Sequence, residues 1–162
     1  MRIAERCKRD IVIDTNVLSH ADNPASPLQA NASELLGWMR DSAVKWVLDD
    51  NGKSQPDPHT SLLFAEYRET LPPGGVGLQL LIFCLANGRV VFANRPDDAL
   101  RKEIRKLIPK NRKDQVVLGA AAGSRDRLLA SNDYADFTSV VRKVLHKKHS
   151  IDVVAVDELD CA

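Results

Sequence analysis

Short apolar runs alternate along the chain with longer amphipathic ones. The first run, Ile11-Val12-Ile13, is β-branched and apolar on both faces, which predicts a buried strand ending at Asp14. Residues 33–40 open on Ser33, a capping residue type, and read as a helix. Val44 to Leu48 reads as a second strand, and Asp49 to Pro58, rich in Asp, Asn, Gly and Pro, as a loop. Thr60 to Leu71 has helical character and is ended by Pro72-Pro73-Gly74-Gly75. Gly77 to Ala86 predicts another helix, closed by Asn87-Gly88, and Arg89 to Ala93 a strand. Asp97 to Ile108 is an amphipathic, strongly charged helix, and Arg112 to Gly123 a helix with a small-residue face. Leu128 to Ser131 reads as a strand, Thr138 to Lys147 as a helix and Val153 to Val156 as the last strand. Strands alternating with helices predict an α/β fold, a parallel sheet with helices on both faces. In such sheets ligands gather beyond the carboxyl ends of the strands, so the residues just past each strand matter most.

Composition narrows the classes. The length of 162 residues fits a single domain, 1–162, with 44% hydrophobic and 28% charged residues describing a globular chain. With only 5% aromatic residues, the core must be filled by Leu, Val, Ile and Ala. Lys and Arg number 23 against 22 Asp and Glu, so a generally basic nucleic-acid clamp is excluded while a locally basic surface is not. Cys7, Cys84 and Cys161 are odd in number and far apart, which argues against a disulfide framework or a zinc site and for a reducing, cytoplasmic location. Cys84, inside an apolar run, reads as a core side chain. The longest apolar stretch, Val76 to Ala86, is short of the ~20 residues a membrane span needs. Asp14 breaks the first apolar run, so the N-terminal segment does not read as a signal peptide.

Carboxylates stand at the predicted strand and helix ends. Asp14 follows the first strand, with Thr15 and Asn16 beside it; a helix cap explains it, as does a cation ligand. Asp133 and Asp136 follow the strand at 128–131, where an Asx turn explains either. Asp114 opens the small-residue helix, where the helix dipole favours an acid. Glu66 shares the apolar face of Leu62 and Leu63, an unusual place for a glutamate without a partner. Each acid alone is weak evidence. Gathered at one sheet edge they would repel one another unless a cation sat among them, and an all-oxygen ligand set suits Mg²⁺ or Mn²⁺. Such sites perform phosphoryl transfer.

Ile-Val-Ile-Asp-Thr-Asn-Val-Leu at 11–18, the helical Glu66, Asp114-Gln-Val-Val-Leu-Gly-Ala-Ala-Ala and Ser131-Asn-Asp-Tyr-Ala-Asp-Phe together resemble the motifs of PIN-domain ribonucleases. The likeness runs from about residue 10 to residue 157. It implies a PIN-like three-layer sandwich with a mainly parallel sheet, and a metal-dependent endoribonuclease cleaving single-stranded RNA by metal-activated water. Carried over, it implies that Asp14, Glu66, Asp114 and Asp133 form a Mg²⁺ or Mn²⁺ pocket with Asp136 as an outer ligand. Thr15 and Asn16 would shape the first turn, and Ser131 would support the last. Glu34, Asp49 and Asp50 compete with Glu66 for the second position, and Asp133 and Asp136 can exchange roles. Small bacterial members of that family resemble toxins of toxin–antitoxin pairs, which brings in an antitoxin protein and a homodimer as candidate partners. The alternative is a catalytically silent PIN-like module that binds RNA or protein.

Between Arg101 and Lys113 seven basic residues face one acid, Glu103, and lead directly into Asp114. Arg105, Lys106, Lys110, Arg112 and Lys113 are thus candidate contacts for a phosphodiester backbone, although a solvated helix face explains them equally. Arg142, Lys143, His146, Lys147, Lys148 and His149 form a second basic run. Trp38 and Trp46 read as core or dimer surface, while Tyr134 lies beside the acids and could stack on a base. An aspartyl-phosphatase site would want a second acid where Asn16 stands, and a dinucleotide site would want a GxGxxG after the first strand.

Overall fold

A computed structural model describes residues 1–50 and 57–162. The predicted loop from Asp49 to Pro58 falls largely on residues 51–56, outside the described residues. Five strands form one sheet: β1 (Asp10–Ile13), β2 (Lys45–Asp49), β3 (Val90–Ala93), β4 (Leu128–Ala130) and β5 (Asp152–Val154). All pairings are parallel and the spatial order is β3-β2-β1-β4-β5. The helices are α1 (Ile3–Arg6), α2 (Thr15–Asp22), α3 (Gln29–Asp41), α4 (Leu62–Thr70), α5 (Val76–Ala86), α6 (Asp98–Leu107), α7 (Arg112–Gly123) and α8 (Ser139–His149).

The chain leaves β1 for β2 and β3 on one side, then returns past β1 to β4 and β5. Right-handed crossovers therefore put the helices before β3 on one face and those after it on the other. The packing agrees: α2 lies against α3 and α5, and α6 lies against α7. The order reverses between β1 and β4, so a crevice must open at their carboxyl ends.

Strand β1 is buried at every position, as two apolar faces demand. Helix α3 starts at Gln29 rather than at Ser33, because Ala32, Leu35, Leu36 and Met39 make one buried stripe that continues upstream of the serine. Helix α2 was not expected as a separate element. Asp14 caps it, and Val17, Leu18 and Ala21 bury its inner face. The last strand is shorter than predicted, since Val156 belongs to a 3₁₀ turn.

Helix α7 crosses the sheet over four strands. Its small residues permit this. A Cβ on Gly123 would come 2.5 Å from the Asn94 carbonyl oxygen, and one on Gly119 would meet Pro96 at 3.1 Å. At the opposite edge, buried Asp10 accepts from the backbone N–H groups of Arg125 and Asp126, tying β1 to the turn before β4. Trp46 and Phe137 are fully buried, and Trp38 packs half-buried against the core. Cys84 is a core residue, and all three cysteines are free thiols. Among the described residues no helix is long and apolar enough to cross a membrane.

Candidate metal centre

The carboxyl ends of β1 and β4 place Asp14 beside Ser131, 117 residues away in sequence. Asp14 is wholly buried and fully engaged. Its Oδ1 accepts from the Thr15 N–H at 2.8 Å and faces the Lys113 ammonium at 3.1 Å. Its Oδ2 accepts from Ser131 Oγ at 2.7 Å and from Asn16 Nδ2 at 3.0 Å. Asp14 caps α2, as one of its two sequence readings has it, and its charge is met by the Lys113 ammonium.

Helix α4 brings Glu66 to the same ammonium, at 3.2 Å. Tyr67, the next residue, fixes that helix. Its buried hydroxyl donates to the carbonyl of Ile13, the residue before Asp14, and accepts from the Trp46 indole N–H at 3.3 Å. The competitors for the second position are placed elsewhere. Asp49 caps α4 by accepting from Ser61 Oγ and the N–H groups of Leu62 and Leu63. Glu34 is exposed on α3, near Cys161. Asp50 lines a separate cavity.

Asp114 stands in the first turn of α7, capped by Asn111. Its carboxyl is fully buried and neither oxygen has a hydrogen-bond partner. The Lys113 ammonium lies 3.5 Å from Oδ1, an ion-pair distance without hydrogen-bond geometry. Asp133 and Asp136 complete the group: one oxygen from each of Asp114, Asp133 and Asp136 lies within 4.8 Å of the others. Asp133 is held by its own turn, accepting from the N–H groups of Ala135 and Asp136 at 3.0 and 3.1 Å. Asp136 accepts from Asn111 Nδ2 at 3.1 Å. Asp136 thus stands level with Asp133 in this cluster rather than outside it.

The electrostatics separate two cation positions. At the first, burial works against a charged lysine, but Asp14, Glu66 and Asp114 overcome it and raise the Lys113 pKa well above its ordinary value. At the second, burial followed by the carboxyls of Asp136 and Asp133 pushes Asp114 up to about 8, with Lys113 opposing. Three close carboxylates, one of them buried and without a hydrogen bond, require either a proton or a cation between them. Asp114, Asp133 and Asp136 are therefore a cluster that could hold a metal ion, and their all-oxygen donor set fits a hard one.

The structure thus gathers Asp14, Glu66, Asp114, Asp133 and Asp136 at one edge, with Asn16 and Ser131 bonded to Asp14. Thr15 contributes its N–H, while its buried hydroxyl has no partner. Lys113 points into the acids, whereas Arg105, Lys106, Lys110 and Arg112 are exposed. Sequence reasoning missed Tyr67 and Asn111; only the position of Asn111 just before a helix signalled a role. Tyr134 is exposed, but Arg142 already covers its ring at 4.8 Å. His146 of the second basic run pairs with Asp152 at 2.6 Å. The thiols, which lie elsewhere, are not activated: burial pushes Cys7 up to about 12 and Cys161 to about 11. Compared with models of protein families, with curated proteins and with solved structures, the chain matches none.

Proposed function

We propose that the chain is a metal-dependent endoribonuclease of PIN-like type that hydrolyses single-stranded RNA. The observation that carries the reading is the buried carboxyl of Asp114, which accepts no hydrogen bond, facing Asp133 and Asp136 at the sheet's topological switch point. Asp114, Asp133 and Asp136 would hold a Mg²⁺ or Mn²⁺ ion. Such an ion supplies charge stabilisation on the phosphoryl oxygens and lowers the pKa of water. Lys113 holds a second, permanent positive charge between Asp14 and Glu66, where it can face a phosphodiester without leaving the chain. Asp14 fixes that ammonium, and Asn16 and Ser131 fix Asp14. In the hydrolysis a water oxygen bonds to phosphorus and the bond to the 3′ oxygen breaks. The products carry 5′-phosphate and 3′-hydroxyl ends. The exposed Arg105, Lys106, Lys110 and Arg112 offer the incoming backbone a positive approach. A toxin role with an antitoxin partner, and a homodimer, belong to the same family reading and rest on the resemblance alone.

The test is cleavage of a labelled single-stranded RNA in Mn²⁺ or Mg²⁺, with and without chelator. Wild type should cut only with metal, and Asp14→Asn and Asp114→Asn should each lose roughly 100-fold or more in rate. Cleavage that survives both substitutions or chelation would overturn the reading.

One observation favours a second reading. The Lys113 ammonium already neutralises Asp14 and Glu66, which suits a silent RNA- or protein-binding module. Calorimetric titration separates the two, because a silent module has no need to bind Mn²⁺ at Asp114.

A further inference from the structure

Beside the acids, at the carboxyl ends of β2 and β3, lies a cavity of about 240 Å³. Four arginines line it: Arg95 after β3, Arg101 and Arg105 on α6, and Arg112 on α7. Arg101 is held by Asp98 at 3.4 Å. No ion pair or hydrogen bond engages the side chains of Arg95, Arg105 or Arg112 among the described residues. Two acids also line the cavity: Asp49, committed to the cap of α4, and the buried Asp50, which is also engaged. The remaining lining includes the polar Asn94 and Gln115 and an apolar wall formed by Pro96, Ile104 and Val116 with the bare backbone at Gly119.

We infer that this cavity binds one nucleotide, its phosphate on the arginines and its base against the apolar wall. Guanidinium groups without an ion pair that line one concave site, as those of Arg95, Arg105 and Arg112 do, select phosphate, since each offers a planar fork of donors. An anion alone would not need the apolar wall; a base does. The volume is below that of sites for drug-sized ligands, so it suits a single nucleotide rather than a longer stretch.

The occupant is a nucleotide of the RNA strand itself. Arg112 lines the cavity while Lys113 and Asp114, the next two residues of α7, face the acids. The ends of β1 and β3 are two strand spacings apart, roughly 10 Å. A strand anchored in the cavity would therefore have a neighbouring phosphate over the metal centre. This inference deepens the nuclease reading and rests on it for the identity of the ligand.

The test is made without metal, in chelator, so that it does not depend on cleavage. Adenosine 5′-monophosphate is titrated into the protein, with adenosine and inorganic phosphate as separate ligands. The mononucleotide should bind at least ~10-fold tighter than either fragment. Arg95→Ala/Arg105→Ala should weaken it ~10-fold or more, while Arg95→Lys/Arg105→Lys, which keeps the charge and loses the planar forks, should restore only part of the affinity; all four changes fall on exposed side chains. A short RNA lacking terminal phosphates should displace the mononucleotide. Equal affinity in the alanine variant, phosphate binding as tightly as the nucleotide, or no saturable binding would overturn the assignment. Failure of the RNA to compete would overturn the strand-anchoring role. Nucleotide binding that persists in a protein showing no metal-dependent cleavage would sink the nuclease reading and leave the cavity intact.

Discussion

Asp14 and Asp114 carry the same group at the same sheet edge, yet their surroundings differ in kind. Four donors surround Asp14, and none of the hydrogen-bonding kind reaches Asp114. The difference has a consequence for pH. Asp114 is raised in the folded protein to about 8 from an ordinary 3.8, so the folded state holds this proton more tightly than the unfolded chain. Its contribution to stability is fully present below pH 4 and is lost as pH rises through about 8. In metal-free buffer the melting temperature should therefore fall from pH 5 to pH 8 by an amount that Asp114→Asn removes. At pH 8 the variant should melt roughly 4–8 °C above wild type, corresponding to about 2 kcal/mol. Thermal unfolding in chelator at both pH values checks this, and a parallel fall in the variant would refute it.

Elements act through how closely they approach. Helix α7 lies across the sheet because Gly123 leaves room for the Asn94 carbonyl, and this closeness sets Asp114 beside Asp133. Gly123→Ala should cost about 1–3 kcal/mol by overpacking, measured by urea denaturation. Helix α4 is tied to β1 by one hydroxyl. Tyr67→Phe leaves the Ile13 carbonyl and the Trp46 indole N–H without their buried partner, which should cost about 1–3 kcal/mol. It should also loosen Glu66 on Lys113. Unchanged stability in Tyr67→Phe would show that water replaces the hydroxyl. At this scale much was legible in the sequence. Strands Ile11–Ile13 and Leu128–Ser131 were marked by apolar runs ending in polar residues, and the Asp97–Ile108 helix by its period. Helix α2 was hidden, because Thr15, Asn16, Ser19 and His20 dilute its apolar face to Val17, Leu18 and Ala21. The start of α3 was misjudged because Ser33 resembles a cap and yet lies on its exposed face.

For the whole molecule, the crevice between β1 and β4 collects charge from α2, α4, α7 and the loop after β4. Neutralising it should therefore stabilise the entire fold. Mn²⁺ at 100 times its dissociation constant should add about 2.7 kcal/mol, with one ion bound per chain because Lys113 fills the neighbouring position. Differential scanning fluorimetry and calorimetry read the shift and the stoichiometry. Two ions per chain would mean that Lys113 leaves the acids when metal arrives.

Local pattern alone determined the alternation of strand and helix, the acids at the strand ends and the small-residue face of α7, since each depends on residues a few positions apart. It also marked Asp14, Asp133 and Asp136, which follow apolar strands, and Asp114, in the first turn of a helix, as candidates. Only the tertiary structure decided which groups they meet. Residues 14, 66, 113 and 131 meet through the order of the sheet, not through any spacing in the chain. For the same reason Lys113, one of a run of basic residues, became the counter-ion of the acids. Helix α7 turns residue 113 inward and residue 112 toward the arginine cavity, and a step of one residue on a helix is enough to separate the two.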